Sequence, residues 1–205
     1  MLEALALRPI IVGLCGFANM RRRVDALGAP GIDPIEVSEV LAFLGGDGDA
    51  DELLDAPLRP DPTYSPGPTR FSDGSWRVFC ASLDWETAEA EITYSHVLKA
   101  IEGLATPIYY QRRECTAAGN GYDLCAHVQT FPCLTDPREA EAYPSCQALA
   151  REARGSDVDG LVTLSARRAE GINVPVFARR ALRDPRIAGA AAIMPRPAGY
   201  RIEQR

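Results

Sequence analysis

Val78-Phe79-Cys80-Ala81-Ser82-Leu83-Asp84-Trp85-Glu86-Thr87-Ala88-Glu89-Ala90-Glu91-Ile92 turns from strand to helix within a few residues, and the architecture follows from that turn. Val78 to Ala81 form a short apolar run suited to a buried strand. Asp84 is placed to cap the helix after it, its carboxylate accepting the Thr87 N–H while Glu86 and Glu89 add negative charge near the positive end. The helix is predicted to run to about residue 104, where Gly103 and Pro107 supply stop signals. Ala88, Ile92, Val97, Leu98 and Ile101 recur at helical spacing, and Glu91 falls on the margin of that apolar face. An unpaired carboxylate buried there costs several kcal/mol or takes up a proton, so the fold must offer it a cation, donors or a wet cleft. Arg70 is the nearest such cation in sequence. The plain alternative makes Glu91 a rim residue and Arg70 a surface charge.

The chain has 205 residues, enough for one substantial core, and 46% hydrophobic with 24% charged residues is too apolar for wholesale disorder. A net charge of -6 lacks the basic surplus that neutralises phosphates, which argues against direct nucleic-acid binding. Arg21-Arg22-Arg23 and the pairs at 112–113, 167–168 and 179–180 read as solvated surface. Six cysteines without a CxxC spacing signal no zinc site and fit buried, reduced thiols. The acidic glycine loop at 45–49 lacks the ligand spacing of a calcium loop, so no metal is expected. The apolar stretch at 9–17 is too short to cross a bilayer and carries its arginines behind it, unlike a signal peptide. The expectation is a cytoplasmic protein that does not enter a membrane.

Residues 1–57 read as a partly helical extension, with a helix from Asp33-Pro34 to about residue 44. A stiff, proline-rich segment at 57–69 then delivers Arg59, Tyr64 and Arg70 along one loop. Strands are predicted over 107–113 and over 122–131, the latter from its alternation. Ser145 is the expected cap of a helix ending at Gly155, and Leu161 to Leu164 form a strand that ends on Ser165-Ala166-Arg167-Arg168. A strand at 174–178 follows, and residues 183–205 read as a tail over a sheet edge. His96 and His127 have no triad partner at a recognisable spacing. Phosphate-binding glycine loops and nucleophile elbows are absent from the sequence.

Together Arg70-Phe71, Phe79-Cys80-Ala81, Thr87-Ala88-Glu89-Ala90-Glu91, Tyr143-Pro144-Ser145-Cys146-Gln147-Ala148 and Gly160-Leu161-Val162-Thr163-Leu164-Ser165-Ala166-Arg167 resemble the RES-domain family, over roughly residues 58–180. That family takes its name from an arginine, a glutamate and a serine. The resemblance implies an α+β fold with an ADP-ribosyltransferase-like split β-sheet core and flanking helices, residues 58–182 forming the RES domain between the extension and the tail. It also implies a toxin of a toxin–antitoxin module that destroys NAD. Arg70 matches the family arginine, Glu91 the glutamate and Ser165 the serine, with Ser145 a second serine candidate and Arg59 a match to an earlier arginine. Phe79 departs from the family's usual tyrosine, and Tyr64 is the phenol that could replace it.

Cleaving the nicotinamide–ribose bond develops positive charge on the ribose, which an ionised Glu91 would stabilise more in the transition state than in the ground state. Arg70 first, and Arg167 second, would grip the dinucleotide phosphates; Phe79 would stack on the nicotinamide, and Ser165 would bond a ribose hydroxyl or phosphate oxygen. NAD is then substrate and no cofactor is implied. Whether water or phosphate attacks, making a glycohydrolase or a phosphorylase, stays open. The implied partner is an Xre-like antitoxin, and a homodimer is compatible with the family. The rivals are an ADP-ribosyltransferase acting on a macromolecule and a catalytically silent nucleotide- or partner-binding module.

Overall fold

The computed structural model describes residues 2, 5–19, 54–55, 57–58, 67–100, 108–196 and 199–204. Strand β2, Ile108–Asp123, is the rail on which the sheet is assembled. Its side chains alternate as a pleated strand requires: Gln111, Arg113, Cys115 and Ala117 point into the protein, whereas Arg112, Glu114, Thr116 and Ala118 are half-exposed. Strand β1, Arg8–Asn19, runs antiparallel along one edge, from Arg8 opposite Gly121 to Asn19 opposite Tyr110.

The other edge of β2 is shared. Helix α1, Trp85–Ala100, precedes β2 in the chain; helix α2, Glu139–Gly155, strand β3, Gly160–Leu164, and strand β4, Ile172–Asn173, follow it. Strand β5, Leu182–Arg196, pairs antiparallel with the first part of β2, and β3 pairs parallel with its last residues, Gly121 to Asp123. Strand β6, Gly199–Gln204, lies outside β5, and β4 outside β3. Where β2 meets β3, a Cβ on Gly121 would collide with the Gly160 carbonyl and the Ile10 side chain, so only glycine permits that approach. A mixed sheet carrying helices makes the fold α+β.

Two cores follow from the two faces. Under α2 lie Trp76, Phe131, Leu134, Cys146, Leu149 and Leu161, joined by Leu2. The second gathers Ile10, Leu14, Phe79, Cys115, Val174 and Val176 between the β1–β2 pair and the segment at 79–82. That segment, predicted as a strand, makes single bridges: Phe79 to Val176, and Ser82 to both Cys15 and Asn173. It stitches β1 to β4.

Several expectations change, among them the strand expected at 174–178, which is displaced to β4 and leaves Val176 in isolated bridges to Phe79 and Gly160. Residues 122–131 are no strand beyond Asp123, because the Asp123 carboxylate accepts the Cys125 N–H at 3.0 Å and Leu124 O accepts the His127 N–H at 2.9 Å, turning the chain into a 3-10 helix, Cys125–His127. Leu124 and Phe131 are buried because the turn folds both under α2, which sequence alternation cannot distinguish from a strand face. Helix α2 begins at Glu139, so Ser145 is no cap; Pro144 and Ser145 lie inside the helix. Residues 183–205 do not lie over a sheet edge as a tail: β5 pairs directly with β2 and, with β6, extends the sheet as a hairpin. The helix predicted at 33–44, and Arg59 and Tyr64, lie outside the described residues.

Candidate active site

The site is built where α1 begins. The Asp84 carboxylate accepts the Thr87 N–H at 2.8 Å, the expected cap, and the Thr87 hydroxyl at 2.9 Å. Arg168 Nη1 donates to Asp84 at 3.2 Å and to Thr87 Oγ1 at 3.0 Å, tying the helix start to the loop after β3. Desolvation works to raise the Asp84 carboxyl, but the Thr87 bonds and Arg168 outweigh it and hold it below its ordinary value. A Cβ on Gly171 would come within 2.7 Å of Thr87 Oγ1, so this junction closes only over glycine.

Further along α1, Glu91 turns toward β3 and β4. Ser165 Oγ donates to Glu91 Oε1 at 2.6 Å, and Asn173 Nδ2 donates to the same oxygen at 2.6 Å. The Ser165 hydroxyl in turn accepts the backbone N–H groups of Arg167 and Arg168 at 3.0 and 3.1 Å, which leaves its proton directed at the carboxylate. Asn173 is oriented likewise: its Oδ1 accepts the Ser82 hydroxyl at 2.8 Å, so its amide faces Glu91 with nitrogen. Both bonds fall on Oε1; among the described residues none is made to Oε2. Glu91 is half-buried, whereas Ser82 and Ser165 are buried.

Beside this network lies a buried cation. Arg113 stacks its guanidinium 4.1 Å from the Phe79 ring centroid, and burial pulls it down to about 10, still fully charged near neutrality. Phe79 is wholly buried beneath it and offers no free face for stacking on a ligand. Cys80 connects the two regions: desolvation pushes its thiol up to about 11, Arg113 opposes that rise and Glu91 adds to it. Solvent nevertheless reaches the Cys80 side chain.

The two arginines expected to grip phosphates hold a loop from opposite sides. Arg70 Nη1 donates to Cys133 O at 2.7 Å and lies 4.0 Å from Cys146 Sγ, and Nη2 donates to Asp136 O at 2.9 Å, which among the described residues leaves Nε and one Nη2 hydrogen uncommitted. Arg167 has a side chain only 7% exposed, lies 3.0 Å from the Tyr94 ring centroid and donates to Pro137 O at 2.6 Å. Tyr94 stands one turn beyond Glu91 on α1, and its hydroxyl also donates to Pro137 O, at 3.3 Å. The loop therefore links Arg70 to the Glu91 face of α1 without direct contact between the two charges. Ser145 is exposed on α2 and joins none of these bonds.

The family model of the RES domain matches residues 47–196, and no curated protein matches the chain. The chain belongs to the RES-domain family. The match covers β2 to β5, both helices and every described residue of the site, and it is consistent with a place in a toxin–antitoxin module. Ser165, expected to match the family serine, touches Glu91, and Arg70 stands across the loop at 133–137. Among the described residues no helix is long and apolar enough to cross a membrane, and no group of three or more His, Cys, Asp or Glu is placed to hold a metal.

Sequence reasoning missed Asn173, Ser82 and Arg113. An asparagine between Ile172 and Val174 in a short strand was the available signal, since Asn is depleted in strands unless its amide has work to do. The pair at 112–113 was read as surface, but strand alternation sends its two members to opposite faces.

Proposed function

We propose that this RES domain removes nicotinamide from NAD and acts as the toxin of a toxin–antitoxin module. The observation that carries this reading is the half-buried Glu91 carboxylate, with Oε1 pinned by Ser165 and Asn173 and Oε2 left without a described partner. A fixed negative oxygen is suited to a positive charge that appears only during reaction, and no reorganisation is needed when it does. The C1′–N1 bond breaks with its electron pair leaving on the pyridine nitrogen, and the ribose becomes an oxocarbenium ion facing Oε2. Water or phosphate then adds to C1′; with water, Oε2 is placed to take the released proton. Ser165 and Asn173 are positioning residues in this scheme, because their protons are spent on Glu91. Arg70 keeps N–H donors for the pyrophosphate while the loop carbonyls hold its plane.

An Xre-like antitoxin that covers this face would keep the carboxylate from NAD. The test is incubation of the purified chain with NAD and chromatography for free nicotinamide, with and without phosphate. Nicotinamide release that Glu91→Gln abolishes supports the proposal, and NAD left intact by folded wild-type protein overturns it. If a label on the ADP-ribose moiety appears on a macromolecule, the acceptor is neither water nor phosphate.

A further inference from the structure

We propose that Cys133 and Cys146 are a redox pair that closes to a disulfide under a hydroperoxide and reopens under excess thiol, moving the loop that Arg70 holds. This rests on their placement and not on the reaction proposed above. Cys146 Sγ donates to Cys133 O at 3.2 Å, and Arg70 Nη1 lies 4.0 Å from the same sulfur while donating to the same carbonyl. Two cysteines joined through that carbonyl bond, beside a guanidinium, are arranged as attacking and resolving thiols. Accessibility divides the roles: Cys133 is half-exposed on a 3-10 turn, and Cys146 is fully buried in α2.

Charge agrees with that division. The Cys146 hydrogen bond and Arg70 hold the Cys133 thiol below its ordinary value, whereas Cys146 is raised by that bond and by burial. Burial instead pushes Cys15, Cys80, Cys115 and Cys125 upward, so Cys133 is the thiolate available near neutrality among these. The Cys133 thiolate attacks a hydroperoxide O–O bond, forming a sulfenic acid and releasing an alkoxide or hydroxide. Cys146 then attacks the sulfenic sulfur, the S–S bond forms, and water leaves. Two thiols lose two electrons and two protons to the peroxide. Closure removes the Cys146 S–H that bonds Cys133 O and draws residue 133 toward α2. That strains the carbonyls on which Arg70 rests.

The full chain is exposed to hydrogen peroxide, alkylated, and digested with trypsin, which cuts after Arg138 and so separates the two cysteines. The expected result is protection of two of the six thiols and a cross-linked peptide pair, assigned by fragmentation to Cys133 and Cys146, that dithiothreitol separates. In Cys146→Ala, Cys133 should instead persist as a sulfenic acid that dimedone traps. Alkylation of both cysteines after peroxide, a bridge between other cysteines, or a bridge found only in denaturant would each overturn the proposal. The wild-type map decides even if the variant fails to fold.

Discussion

Replacing Glu91 by Gln tests the site at one atom. The glutamine oxygen can take the place of Oε1 and keep the bonds from Ser165 Oγ and Asn173 Nδ2, each 2.6 Å in the native chain, while the amide nitrogen occupies the place of Oε2. Hydrogen bonds to a charged group are worth about 1.5–3 kcal/mol and neutral ones about 0.5–1.5, so the two together lose on the order of 2 kcal/mol. Relief from holding a charge in a half-buried place offsets part of this, leaving about 1 kcal/mol, or a fall of roughly 2–4 °C in Tm for a chain of this size. Catalysis loses far more. An electrostatic partner lost from the reacting centre typically costs about 2.7–4 kcal/mol, or roughly 10²–10³ in kcat. Nicotinamide release by chromatography gives kcat, thermal unfolding gives Tm, and calorimetry should find NAD binding largely retained. Undiminished turnover at an unchanged Tm would remove Glu91 from the mechanism. A collapse in Tm would show that glutamine cannot satisfy both donors.

Asn173→Ala should lower kcat by about tenfold with KM nearly unchanged, read from initial rates of nicotinamide release. The Asp84 carboxyl lies below its ordinary 3.8 in the folded chain, so its stabilisation is complete above 3.8 and is lost as pH falls through the folded value. Asp84→Asn should therefore be less acid-sensitive below 3.8 in denaturant titrations, and Asp84→Ala should cost about 1 kcal/mol near neutrality through the lost cap. Gly171→Ala drives a methyl into Thr87 and should cost about 1–3 kcal/mol, read as a lower urea midpoint at an unchanged slope.

Local chemistry was legible where it is decided within a few residues. Asp84 could be read as a cap because capping needs only its own carboxylate and an N–H three residues on. Glu91 stood out because a carboxylate on a helix margin demands partners. The identity of those partners was half legible: Ser165 came through resemblance, but Asn173 acts from 82 residues away, a distance no period or cap encodes. The long strand β2 was read as two pieces because Gly119 and Gly121 interrupt its pattern, although the fold uses Gly121 to seat β3. Arg70 was expected to wait for a ligand. Its carbonyl partners at 133 and 136 lie in a loop whose path depends on the turn at Asp123, which alternation concealed.

The order in which the ribosome delivers this chain now acquires a meaning. Glu91 leaves the exit tunnel long before Ser165, 74 residues later, and Asn173, later still, so a nascent or prematurely terminated product carries the acidic side chain with nothing to aim it. Strand β1 likewise waits for β2, and β2 for β5, before the sheet can close. Any destructive chemistry at this carboxylate is thereby withheld from unfinished translation products.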